Sequence, residues 1–165
     1  MEFICLEIKY TYTMEDTLKI KGTLKLILRN VHTGEETIDV VENMVVTAGK
    51  DMIAAALIGQ SNKSITYLAA GTNSTAPALG NTQLGSELGR KLISTREISS
   101  LANNTAVYTT FFNTSEINGS LQEFGLFGGD ATATANSGTL FARTLSARVK
   151  TTSDTLTAVW SIVIG

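Results

Sequence analysis

Glu123 stands in an apolar run, Leu121-Gln122-Glu123-Phe124-Gly125-Leu126-Phe127-Gly128-Gly129. A carboxylate in such a setting either works as an acid or base in a sheltered site or anchors a cation and a set of N–H donors. The first use points to glycoside hydrolysis, which needs two carboxyls roughly 5–10 Å apart across a groove. Glu87, Glu97 and Glu116 are the available partners, but no spacing gathers them. Aromatic residues that could stack on a sugar make up only 7% of the chain. The second use needs a partner, because a buried carboxylate without one costs several kcal/mol. Arg143, in Leu140-Phe141-Ala142-Arg143, lies on the strand expected to follow Glu123 across the glycine-rich turn, and Arg90 is a second candidate. The residues favour a structural pair, Glu123 with Arg143 or Arg90, within one subunit or across a subunit boundary.

Other chemistry finds little support. A nucleophilic triad needs a base, and the single histidine, His32, falls in a turn-forming stretch, Asn30 to Glu35. The single cysteine, Cys5, allows neither an internal disulfide nor a cysteine-built zinc site, and reads as a small hydrophobe on a strand. Asp16, Asp39, Asp51, Asp130 and Asp154 are dispersed, so calcium at Gly128-Gly129-Asp130 would lack its second and third carboxylates. The glycine-rich loops carry neither the Gly-Lys-Ser/Thr of a P-loop nor a GxGxxG opening a helix. The expectation is no catalytic residue, no cofactor and no metal. The 13 basic residues are scattered and the net charge is −2, which argues against a nucleic-acid partner. Met1 to Tyr10 carries charges within its apolar run, unlike a signal peptide, and no run nears the ~20 apolar residues of a membrane span.

The elements that must position these residues are strands. Apolar residues make up 43% and charged ones 17%, below the usual ~25%, with abundant Thr, Ser and Asn. Residues 3–12 read as a strand. Leu18, Ile20, Leu24, Leu26 and Leu28 recur at a period of two, with Gly22 as a bulge, and Thr37 to Val46 returns, so residues 17–46 form one long β-hairpin. Thr47 fits a helix N-cap and Gly59 a C-terminal stop, framing one short helix near residues 48–58 with Met52, Ile53, Ala56 and Leu57 on its apolar face. Short strands follow at 65–70, 91–99, 106–113, 120–127, 138–148 and 155–164, the last central and carrying Trp160. Residues 71–87 form a loop long enough to have a task or to pack on something. The fold class is all-β: an antiparallel, jelly-roll-like β-sandwich over residues 1–165, with the N-terminal strand and hairpin, 1–42, free to reach a neighbouring subunit.

Residues 43–164 also carry an ordered set of motifs. Asn43-x-Val-Val-Thr-x-Gly49 precedes the helix, Ile65-x-x-x-Ala-x-Gly-Thr72 follows it, and Thr75-Ala-Pro77 leads to Thr82-x-Leu-x-x-Glu-x-x-Arg90. Glu123-x-Gly-Leu-Phe127, Leu140-x-Ala-Arg143 and a terminal apolar strand complete the set. In this order the chain resembles a family of small structural proteins of tailed bacteriophages, whose members are labelled tail-fibre, baseplate or other virion proteins. The resemblance implies a non-enzymatic virion protein made in the host cytoplasm, assembling as a homo-oligomer, by the family's habit a trimer. The absence of internal repeats turns the expectation from a fibre towards capsid decoration, in contact with major capsid or tail proteins. Tail or head-appendage attachment to a host, through a surface glycan, is the alternative. A carbohydrate-binding module is the rival of another class, and it would need an exposed platform of Tyr67, Tyr108, Phe112 or Trp160.

Overall fold

The computed structural model describes residues 18–165. The strand expected over 3–12, with Cys5, lies outside the described residues. Ten strands and one helix follow in the order β1 (Ile20–Asn30), β2 (Glu36–Glu42), β3 (Met44–Val45), α1 (Thr47–Leu57), β4 (Ile65–Gly71), β5 (Glu87–Leu92), β6 (Thr95–Ile98), β7 (Thr105–Phe112), β8 (Gly119–Gly128), β9 (Thr139–Lys150) and β10 (Asp154–Ile164). They form two five-stranded antiparallel sheets, β2-β1-β10-β7-β6 and β3-β9-β8-β4-β5, which makes the molecule an all-β sandwich.

The period of two that marks β1 and β10 in the sequence puts alternate residues on the core face. Leu24, Leu26, Leu156, Ala158 and Trp160 are fully buried there. They pack against Phe124, Leu126 and Phe112 in one cluster between the sheets. β10 is the middle strand of its sheet, as its almost wholly apolar core face predicts. The N-terminal hairpin is built into the same sheet, because β1 pairs with β10 along its whole length, from Ile20 opposite Ile164 to Asn30 opposite Asp154. Within the hairpin, the outer edge of β2 has no strand beside it among the described residues.

Two stretches expected as single strands each divide between the sheets. Residues 37–46 split at Asn43: β2 pairs with β1, whereas β3 pairs with β9. Asn43 makes the switch by donating its backbone N–H to the Gly22 carbonyl and accepting the Trp160 indole N–H at 2.9 Å on its side chain. Gly22 is therefore no bulge, since β1 stays in unbroken register with β10. A Cβ at position 22 would fall 2.0 Å from Asn43 Oδ1, so the glycine makes room for this side chain. Residues 91–99 divide at Ile93-Ser94, whose N–H groups donate to Thr66 in one sheet and Thr109 in the other. Both stretches keep strand-forming residues up to and past the switch, Val40-Val41 before and Met44-Val45-Val46 after in the first, so composition does not reveal it.

The helix begins where expected but without the Thr47 cap. Thr47 is its first residue, entered from extended Val46, and among the described residues no side chain caps the end. The Thr47 N–H donates to the Leu79 carbonyl of the 72–86 loop instead. Gly59 does end the helix, at φ +78° with its N–H on the Ala56 carbonyl. The predicted apolar face is only half covered by described residues: Met52 is buried and Ile53 half-buried, while Ala56 is exposed and Leu57 is 81% exposed.

Candidate functional site

The outer face of the second sheet gathers the residues the sequence singled out. β4 and β8 carry Ala69, Gly71, Glu123, Gly125 and Phe127 on this face, beneath the long 72–86 loop and the 129–138 loop. Leu84 of the first loop and Ala131 of the second close over Phe127, Leu140 and Val46 as a second small core.

Glu123 and Arg143 meet here within one chain. The Arg143 Nε–H donates to Glu123 Oε2 at 2.9 Å, and both side chains are buried, 0% and 3% exposed. The carboxylate also accepts three backbone N–H groups of the long loop: Ser86 at 2.7 Å, Gly85 at 3.0 Å and Asn73 at 3.3 Å. Arg143 reaches the loop's middle, donating to the Thr75 carbonyl at 2.9 Å and Asn81 Oδ1 at 3.1 Å. Both ends and the centre of the loop are thus tied to one ion pair. Gly71 is required beneath it, since a Cβ there would lie 2.4 Å from the Ser86 carbonyl oxygen and 2.7 Å from Glu123 Oε1.

Arg90 does not pair with Glu123. It makes a two-pronged pair with Glu87, Nε to Oε1 at 2.6 Å and Nη2 to Oε2 at 2.8 Å, with both side chains 1% exposed. Its guanidinium stacks 4.3 Å from the Phe127 ring centre and donates to the Ser137 carbonyl at 2.9 Å, while Glu87 accepts the Asn136 N–H at 2.8 Å. This second pair docks the 129–138 loop. Residues three apart on a regular strand point to opposite faces, so spacing gives no reason to join Glu87 and Arg90. A bulge decides it: Ala69 faces Arg90 but Gly71 faces Glu87, which returns both side chains to the outer face. The one available signal was the irregular Glu-Leu-Gly-Arg run itself.

These positions bear directly on the carboxylate-pair idea. Glu87 and Glu123 flank Gly71 from the two neighbouring strands, but each is buried and saturated by its own arginine and by loop N–H groups. Glu97 lies exposed on β6 of the other sheet. Glu116 pairs with Lys91 at 2.7 Å. Burial acts most strongly on Glu116 and raises its pKa, but hydrogen bonds from Lys91 and the Asn113 N–H and the nearby charges outweigh it and set the pKa below the ordinary value. Lys150, 1% exposed, donates to the Asn113 carbonyl and Asn118 Oδ1 and closes the same turn, and burial pushes its pKa down.

A polar depression of about 310 Å³ lies over Arg143, lined by Asn73, Thr75, Asn81 and Gln83. The guanidinium beneath it is spent on Glu123, Thr75 and Asn81. Among the described residues no three His, Cys, Asp or Glu side chains converge as a metal site. His32 is exposed in the β1–β2 turn. Among the described residues no helix is long and apolar enough to cross a membrane. The fold and the site together define an antiparallel β-sandwich whose buried charges fasten loops. No family model, curated protein or solved structure matches the chain.

Proposed function

We propose that this is a non-enzymatic virion structural protein of a tailed bacteriophage, a capsid decoration protein that coats the particle as a homo-oligomer. The observation that carries the proposal is the outer face of the first sheet. Ile38, Ile27, Thr157 and Phe111 stand directly opposite one another across β2, β1, β10 and β7. Val40, Lys25, Val159 and Thr109 form the next row. Ile38 is 55%, Val40 60% and Phe111 44% exposed. Five strands at about 4.8 Å make a face roughly 20 Å wide, with Lys25 as the charge within its two central rows. An apolar patch of this kind on a rigid sheet suits a docking surface on a neighbouring subunit. The resemblance to phage virion proteins supplies the kind of neighbour: further copies, a trimer by the family's habit, and capsid or tail proteins.

The carbohydrate-binding reading loses its platform. Trp160 and Phe112 are buried in the core, and Tyr108 faces inward beside them. Tyr67 lies half-buried in the second core, with the Arg90 guanidinium 5.8 Å from its ring.

Solution mass by light scattering after size exclusion tests the proposal. The full chain is expected to be an oligomer, and Ile38→Glu with Phe111→Glu is expected to reduce it to monomer while the melting temperature holds. A wild-type monomer, or an oligomer indifferent to both substitutions, refutes assembly through this face.

A further inference from the structure

Lys150 ends β9 opposite Gly119, the first residue of β8, and its side chain is buried. Its Nζ donates to the Asn113 carbonyl at 2.7 Å and to Asn118 Oδ1 at 2.8 Å. Phe112 and Ile117, which precede the two asparagines, pack in or against the hydrophobic core, so the amine sits at the edge of an apolar region. A buried lysine kept as an ammonium needs a carboxylate, because a buried charge without a counterion is costly. Lys150 forms no salt bridge among the described residues. The two carboxylates that act on its charge are committed elsewhere. Glu116 Oε2 accepts Lys91 Nζ and the Asn113 N–H, both at 2.7 Å, and Asp154 accepts from Thr151 and Asn30. Burial outweighs their attraction and lowers the Lys150 pKa, which favours the neutral amine. A neutral amine has two N–H donors and a lone pair, and it meets two carbonyl oxygens here. A desolvated lysine amine is also a nucleophile.

The electrophile beside it is an amide carbon. Asn118 Cγ is bonded to Oδ1, so it lies no more than about 4 Å from Nζ, and a near-attack arrangement needs about 3–3.5 Å. Asn118 Nδ2 donates to the Thr114 carbonyl at 2.8 Å, so both ends of the amide are held. We infer that Lys150 and Asn118 join in the folded protein as an intramolecular isopeptide bond. Once the ammonium proton has gone to solvent, Nζ attacks Asn118 Cγ and its lone pair forms the new C–N bond, while the carbonyl π pair moves to Oδ1. A proton passes from Nζ to Nδ2. The Oδ1 pair then re-forms the carbonyl, and the Cγ–Nδ2 bond breaks with its electrons leaving on nitrogen as ammonia. One amide replaces another, so no oxidant, reductant or cofactor enters, and the chain loses the atoms of one ammonia. The new bond links residues 32 positions apart and locks the end of the β8–β9 pair to the turn before it. It goes beyond the assembly reading and does not rest on it.

Mass spectrometry of the full chain, folded at neutral pH and denatured only for measurement, tests this. The wild type is expected to be lighter than its sequence by one ammonia. Lys150→Arg keeps the cation and its N–H donors but has no nucleophilic amine, and it is expected at its full sequence mass. Trypsin is expected to leave residues 97–143 joined to residues 149–165, because it does not cut after an acylated lysine. A wild type at full sequence mass overturns the proposal. So does an ammonia loss that persists in Lys150→Arg, or one that stays within an unlinked 97–143 peptide, as ring closure at Asn118-Gly119 would give.

Discussion

Replacing Glu123 by Gln changes no shape and removes one charge, and the structure says what that does. Gln Oε1 can still serve the Ser86 and Asn73 N–H groups. Its amide nitrogen then takes the place of Oε2, where the Gly85 N–H and the Arg143 Nε–H both point, so donor meets donor. Arg143 keeps Thr75 and Asn81 but becomes an uncompensated cation at 3% exposure. Breaking a buried pair in this way costs about 3–5 kcal/mol. For a domain of this size, about 2–4 °C accompanies each kcal/mol, so the melting temperature is expected to fall by about 6–20 °C. Arg143→Met is expected to cost less, because Glu123 would retain three backbone N–H donors. The double variant should recover part of the Glu123→Gln loss, since it removes the stranded guanidinium, but not all of it, because the Gly85 N–H still lacks its acceptor. Circular dichroism melts and urea titrations of the four proteins measure this. A Glu123→Gln melting temperature within about 2 °C of wild type, or a larger loss from Arg143→Met, would refute the anchoring argument.

Three further expectations follow from individual contacts. Asp154 accepts from the Thr151 side chain and N–H and from Asn30, and the Thr151 hydroxyl is the largest reason its pKa lies below the ordinary 3.8. A depressed carboxylate stabilises the fold above its unfolded pKa, and that contribution is lost as pH falls through the folded value; Asp154→Asn should therefore flatten the acid limb of a melting-temperature–pH curve, and an unchanged limb would count against it. Gly71→Ala forces a Cβ onto the Ser86 carbonyl and Glu123, so it should cost about 1–3 kcal/mol and, in hydrogen exchange, release the Gly85 and Ser86 amides. Asn43→Leu leaves the buried Trp160 indole N–H without its acceptor, a loss of about 1–3 kcal/mol that Trp160→Phe should partly restore in a double-mutant cycle.

Much of the architecture was legible in the residues. The period of two in Leu24, Leu26 and Leu28 and again in Leu156 to Ile162 named the core faces of β1 and β10, because a strand exposes alternate residues to the two environments. Gly59 marked the helix end, since the left-handed turn there favours glycine. Glu123 with Arg143 was legible as well, from one elementary fact: a carboxylate set among Phe, Leu and Gly must find a partner, and the next strand offered an arginine. What the sequence could not show depends on parity and on contacts far apart in the chain. The strand-forming composition of residues 37–46 and 91–99 reads the same whether a strand stays in one sheet or crosses to the other, and only the Asn43 contacts with Gly22 and Trp160 and the split bonds of Ile93 and Ser94 decide. The bulge at Leu88-Gly89 turned Arg90 from a candidate partner of Glu123 into the partner of Glu87. The task of Glu123 was tertiary too, because its three backbone donors come from residues 37 to 50 positions away. Composition and periodicity determined that this chain forms sheets and which faces close; the folded register alone determined which loops those buried charges hold.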